Sequence, residues 1–126
     1  DLESVRRIYD INYYKKSKAN LMSHPLAFAH FDASVNHGIG WSSKFLQRTL
    51  NKFGANLIDD GIIGPKTLIA LDDIMSNVYI YKIIDEYCNI RKSFYDSIVT
   101  NNPLQKKFYN GWMNRLASVR KYCGVA

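Results

Sequence analysis

With 126 residues, 17 Lys or Arg against 11 Asp or Glu and a formal net charge of +6, the chain has room for one domain, or one small domain carrying part of another. Its 47% hydrophobic and 22% charged residues exclude a disordered polymer, and no run approaches the roughly 18 apolar residues that would span a bilayer. The basic balance favours an anionic partner without choosing among nucleic acid, lipid headgroups and an acidic polymer.

In chain order, Leu2, Val5, Ile8, Tyr9 and Tyr13 recur at three- and four-residue steps and predict an amphipathic helix from Leu2 to Tyr14. Asp1 to Arg7 lacks the basic-then-apolar layout of a signal peptide, and without an initiator Met the chain is expected to be a processed product or an excised piece. Lys15 to Ser23 reads as a polar, basic loop. Pro25 suits the first turn of a second helix, Leu26 to Asn36, which is apolar almost all round, Val35 included, and is expected at the centre of the core. His37-Gly38-Ile39-Gly40 interrupts it. A third helix runs from Trp41 to Phe53, with Phe45, Leu46, Leu50 and Phe53 on one face and Gly54 as its stop. Asn56 to Gly64 is rich in turn residues. Pro65 begins a short fourth helix that buries Leu68, Leu71, Ile74 and Met75. Asn77 is expected to cap a long fifth helix, with Val78, Tyr81, Ile84, Cys88, Arg91, Tyr95 and Ile98 as its buried stripe. Asn101-Asn102-Pro103 ends it, and a sixth helix runs from Leu104 to Lys121. Strand signals are nearly absent, so the expected fold is all-α, a compact bundle of about six helices.

Residues that could carry chemistry are few. Cys88 and Cys123 form no CxxC pattern, and a disulfide between helices and a pair of buried thiols both stay open. His24, His30 and His37 are six and seven residues apart, which misses the helical ligand spacing, so no metal and no cofactor is expected. Lys15, Lys16 and Lys18, with Lys106 and Lys107, form basic patches near tyrosines, a pattern that can bind single-stranded nucleic acid. The tyrosines fall mostly on helix stripes, which favours core or rim positions, so nucleic acid is not the expected partner.

The segment Asp59 to Thr67, DDGIIGPKT, has a mechanical reading. Two glycines let the chain turn twice within four residues, and Ile62 or Ile63 can plug the core between the turns. Asp60 can bond back to turn amides, and Thr67 can tie the loop to the next helix. DDGIIGPKTLIAL (59–71) also resembles the loop-helix signature of peptidoglycan-binding domains. LAFAHFDASVNHGIGWSSKFLQRTL (26–50) and FYNGWMNRLASVR (108–120) resemble the "LFDxAVNxGxGxAxxxLQxxL" region and the "FxxGWxNRxxxLR" ending of glycoside hydrolase family 108. Three blocks in the same order cover nearly the whole chain. The resemblance implies an N-acetylmuramidase-type cell-wall lytic enzyme, of a family with some members used in bacterial protein release. It implies a lysozyme-like catalytic region, here a remnant at 1–37, followed by a helical peptidoglycan-binding region at 38–126.

The family's catalytic acid is a Glu in an "EGGY"-like motif followed by a "DPGG" segment, and this sequence has neither. Glycoside hydrolysis needs a proton-donating carboxylic acid. The two glutamates, Glu3 and Glu86, sit on ordinary polar helix faces. No muramidase activity is therefore expected of these 126 residues, although a hydrolase in its own right and a basic nucleic-acid-binding domain are the alternatives to a binding module.

The candidate substrate-binding residues are Asp32, Asn36, Trp41, Gln47, Arg48, Asp60 and Arg115. Asp32 and Asn36 share one face of an apolar helix and could line a saccharide or peptide cleft, or satisfy loop amides near Gly38 and Gly40. Trp41 and Trp112 could stack on sugar faces, with core packing favoured for Trp112. Arg115 can hold a carboxylate through two parallel bonds, either the protein's own or a stem peptide's. The expected partner is peptidoglycan, both glycan strand and stem peptides, bound by a monomer without stable membrane insertion. The expected place is the periplasm or cell wall.

Overall fold

A computed structural model describes residues 11–126. Most of the predicted first helix, including Leu2, Val5, Ile8 and Tyr9, lies outside the described residues, as does Glu3. Residues 11–16 are helical (α1), and Tyr13 donates to the Ser34 carbonyl at 2.6 Å, tying this turn to the next helix. The expected loop that follows contains a 3-10 turn at Ala19–Leu21. Then come α2 (Leu26–His37), α3 (Ile39–Lys52), α4 (Pro65–Met75), α5 (Ile80–Asn101), a 3-10 helix at Pro103–Phe108 and α6 (Tyr109–Cys123). The described residues are all helix, turn and loop, as the spacing of apolar residues predicts. No helix among them is long and apolar enough to cross a membrane.

Small side chains set the packing. Ala29, Ala33, Ser34, Ser42 and Ser43 are buried where α2 and α3 meet, and α5 packs against α2, α3 and α6, while α4 leans on α3. Leu26, Phe45, Leu46, Leu50, Ile84 and Leu116 fill the centre. Each such side chain stabilises the fold by about 1.5–3 kcal/mol on leaving water. Within this core runs a polar thread. His30 is bonded through Nδ1 to the Tyr87 hydroxyl at 2.9 Å and through Nε2 to the Ser17 carbonyl at 2.8 Å, and Ser34 meets Ser42 at 2.7 Å.

Several boundaries differ from expectation, each for a local reason. The break between α2 and α3 is a single residue, not four. Gly38 takes φ +91, a region L side chains avoid, and its carbonyl at once accepts from Ser42 N at 3.0 Å to start α3. Pro25 stands just before α2 rather than in its first turn. Asn77 does not cap α5. Its amide turns back to the Asp73 carbonyl and Ser76 hydroxyl, closing α4, and Tyr79 takes the cap position. On α2, Val35 is 57% exposed, because the core side of that helix includes His30, Asp32 and Ser34 instead. On α5, Tyr81 is 52% exposed and the buried stripe runs through Ile83, Ile84, Tyr87, Cys88, Arg91 and Tyr95. Cys88 and Cys123 are both free and buried, and burial pushes both thiols above their usual pKa.

Candidate functional site

After α3 the chain is held by two side chains of that helix. Asn51 brackets Leu57, donating to its carbonyl at 2.9 Å and accepting from its amide at 2.8 Å. Gln47, 1% exposed, does the same for the next turn. Its Nε2 lies 2.9 Å from the Ile62 carbonyl, 3.0 Å from Asp60 Oδ1 and 3.2 Å from Thr67 Oγ1, while its Oε1 accepts from Gly61 N at 3.0 Å. Asp60 also accepts from Ile62 N at 3.0 Å. The Ile62 amide, then Gln47, holds its carboxyl below the usual range. Arg48 donates to Asp59 at 2.7 Å, which lowers that carboxyl likewise. Of the two candidate plugs, Ile63 is buried and Ile62 is 70% exposed.

This arrangement leaves a cleft of about 530 Å³ whose walls include Asn56, Leu57, Ile58, Asp60, Ile62 and Lys66. Ile58 and Ile62 are 82% and 70% exposed, so the opening is apolar with one cation and one anion at its edge. Its shape depends on Gly61. That residue has φ +77, and a Cβ there would lie 2.9 Å from the Gly40 carbonyl oxygen, a backbone atom that cannot step aside. Gly61→Ala should therefore cost at least about 1–2 kcal/mol from the left-handed backbone alone, read as a lowered urea midpoint by circular dichroism.

A second group of polar residues forms where α2, α5 and α6 meet. Asp32, 4% exposed, accepts from Arg91 Nη1 at 2.6 Å and from Arg115 through both Nε, at 2.8 Å, and Nη2. Arg91 also donates to His37 Nε2 at 2.9 Å and to Tyr95 Oη at 3.3 Å. Asn36 reaches back to the Asp32 carbonyl at 2.8 Å and its carboxylate at 3.4 Å. The Asp32 carboxylate thus meets two guanidiniums rather than amides near Gly38 and Gly40.

The candidate residues accordingly fall into two groups. Asp32, Asn36 and Arg115 come together in the charged cluster, and Gln47, Asp60 and Arg48 around the loop. Trp41 belongs with the second. It follows the glycine against which Gly61 packs, is 40% exposed, lies 4.6 Å from Phe94, and has Lys44 Nζ 4.7 Å from its ring. Trp112 is half-buried and stacks on Tyr95 at 4.9 Å. Arg91 and Lys66 were not among the candidates. An arginine inside an apolar stripe is itself a sign of a buried carboxylate partner, whereas nothing in the sequence marks Lys66 as lining a cleft. Of the histidines, His30 is fully buried, His37 half-buried, and His24 sits edge-on to Tyr122. Glu86 lies beside Lys82 and Asp85 at a separate open hollow.

Comparison with known proteins gives three results. Residues 41–117 match the family model described as Predicted Peptidoglycan domain, and residues 1–38 match that of Glycosyl hydrolase 108. No curated protein matches. Among solved structures, that of SagA from Brucella abortus superposes with a TM-score of 0.76 at 25% identity, over 98% of this chain and 63% of that one, so this chain spans less than two thirds of SagA. The first model covers more than half of the sequence, and the chain belongs to the predicted peptidoglycan domain family.

Proposed function

We propose that the chain binds peptidoglycan through the cleft of residues 56–67 and contributes binding, not bond cleavage, to a larger wall hydrolase. The carrying observation is that the Gln47-clamped loop, inside the matched residues 41–117, holds an apolar cleft open with Asp60 and Lys66 at its rim. Acetamido and alanyl methyl groups of the polymer suit Ile58, Ile62 and Leu57, while Lys66 and the overall +6 charge suit its carboxylates. Trp41 extends the same side as a surface for a sugar face.

The match of residues 1–38 to Glycosyl hydrolase 108 supports a fuller reading. In it, a division near residue 38 separates the end of a muramidase region from the binding region. The binding region, a monomer, brings that enzyme to glycan and stem peptides in the periplasm, for the release of proteins such as toxins through the wall.

A pull-down with purified sacculi tests the binding. The native sequence should co-sediment, and Ile62→Asp, at an exposed position that leaves the core intact, should lower the affinity about tenfold or more, the loss expected at a contact centre. Binding should also weaken between about 0.05 and about 0.5 M salt as the charges are screened. Sacculus binding indifferent to Ile62→Asp would refute this site.

A further inference from the structure

The charged cluster meets solvent through Arg115. Its side chain is 56% exposed, against 2% for Asp32 and 1% for Arg91. Two guanidiniums face one carboxylate there, and His37 adds no compensating negative charge, so the cluster keeps one positive charge in excess. Arg115 closes on Asp32 Oδ1 with both Nε and Nη2, which fixes the plane of the guanidinium. Its Nη1 has no hydrogen-bond partner among the described residues. A cation already held in one orientation loses little freedom when a carboxylate arrives.

Next to it, along α6 and the end of the 3-10 helix that leads into it, is a run of aromatic surface. Trp112, three residues before Arg115, lies on Tyr95 with 18° between the rings. Phe108, four residues earlier and 47% exposed, tilts against Trp112 at 6.1 Å. Lys107 Nζ lies 5.3 Å from the Phe108 ring, and Lys106 is exposed beside it. The acids nearby are already engaged. Asp32 is covered by its two arginines, and Asp96 accepts from Tyr109 at 2.6 Å and Lys92 at 2.9 Å. The face therefore combines flat apolar rings with unneutralised cations.

We propose that Phe108, Trp112 and Arg115, with Lys107 at the rim, form a second subsite that takes a pyranose bearing a carboxylate side arm. The ring face lies on the aromatic surface and the carboxylate meets Arg115 Nη1. This rests on the peptidoglycan reading, in which the muramyl unit with its acidic stem is that pyranose, but it uses a different face from the loop cleft. The two contacts act together: the aromatic surface selects a sugar, and the pinned arginine selects an acidic one.

The test is a titration of the isotope-labelled chain with a soluble disaccharide-tetrapeptide, followed by NMR at the Trp112 indole N–H and the Arg115 Nε–H. Both resonances should shift saturably. The same disaccharide-tetrapeptide with its carboxyl groups amidated, and a chitin tetrasaccharide with none, should each bind about tenfold or more weakly, as the loss of a charge-assisted contact implies. Phe108→Ala and Lys107→Glu, both at exposed positions that leave the Asp32 cluster intact, should weaken binding about fivefold. Absence of the shifts, equal binding of the uncharged sugars, or indifference to both variants would overturn the subsite. Failure of the loop cleft has a different readout, sacculus binding unchanged by Ile62→Asp, so the two proposals fall separately.

Discussion

Asp32→Ala should lower the unfolding free energy by about 3–5 kcal/mol, because it strands a buried guanidinium. Arg91 is 1% exposed, and its Nη1 has Asp32 as its partner at 2.6 Å. Burial opposes the charge on Arg91 more than any other single influence, but Tyr95 and Asp32 together outweigh it and raise its pKa. Remove the carboxylate and the desolvation remains, with only the neutral contacts to Tyr95 and His37 left to offset it. Arg115→Ala provides the contrast. That side chain is 56% exposed and can rehydrate, so its removal should cost only about 1 kcal/mol or less, with Asp32 still paired to Arg91. Urea titrations followed by circular dichroism would measure both. Equal losses for the two variants would show that the cluster is not organised around the buried Asp32–Arg91 pair.

Which parts of this protein its sequence discloses follows from the range of the interactions involved. Helices α3 to α6 were legible because apolar residues at three- and four-residue steps are a local record of a buried face, and α2 because it is apolar almost all round. Their ends were less so. A single glycine at 38 does what four residues were expected to do, and Asn77 turns back to Ser76 and Asp73 rather than forward. Both outcomes depend on backbone angles that residue type alone does not set. The loop of residues 59–67 was readable in part. Gly61 permits the left-handed turn it makes, Pro65 fixes the start of α4, and Asp60 does bond back to the Ile62 amide, whereas Gly64 is extended rather than a second tight turn. What holds the loop was not readable. Gln47 lies 13 to 20 residues before its acceptors, and no spacing rule links them. The Asp32 cluster falls between these cases. A lone acid in one apolar helix and a lone arginine in another apolar stripe are each visible, and burial requires each to find a partner. That Arg115 joins them, 83 residues from Asp32, is a property of the folded bundle only.

Acid should weaken the fold well before the carboxylates titrate, because two histidines are held neutral inside it. Burial, opposed only in part by the Ser17 carbonyl, lowers the His30 pKa to about 4, and burial together with Arg91 does the same for His37. In the unfolded chain both return to about 6.5. The folded value is the depressed one, so the stabilisation is complete above pH 6.5 and is lost as pH falls from about 6.5 to about 4. The difference corresponds to about 3 kcal/mol for His30, and to less for His37, which is only half-buried and partly hydrated. The bonding explains why neither can be charged easily. The Ser17 carbonyl takes the Nε2 proton of His30, so Nδ1 must accept from Tyr87. A proton added at Nδ1 would have to turn the tyrosine toward the Ser42 carbonyl, 3.3 Å away, and would leave a cation fully out of water. At His37 the nitrogen that accepts from Arg91 would instead carry a proton pointed at a guanidinium. Asp59, Asp60 and Asp96, whose carboxyls are held below the ordinary range, add their own loss only below about pH 4. Urea midpoints measured at intervals from pH 7.5 to pH 4.5 should therefore fall steadily below about pH 6.5. His30→Gln, whose amide can donate to the Ser17 carbonyl and accept from Tyr87, should be less stable at pH 7.5 yet show a flatter dependence. A midpoint constant down to pH 4.5, or an unchanged slope in that variant, would mean that the buried imidazole is not the group that responds.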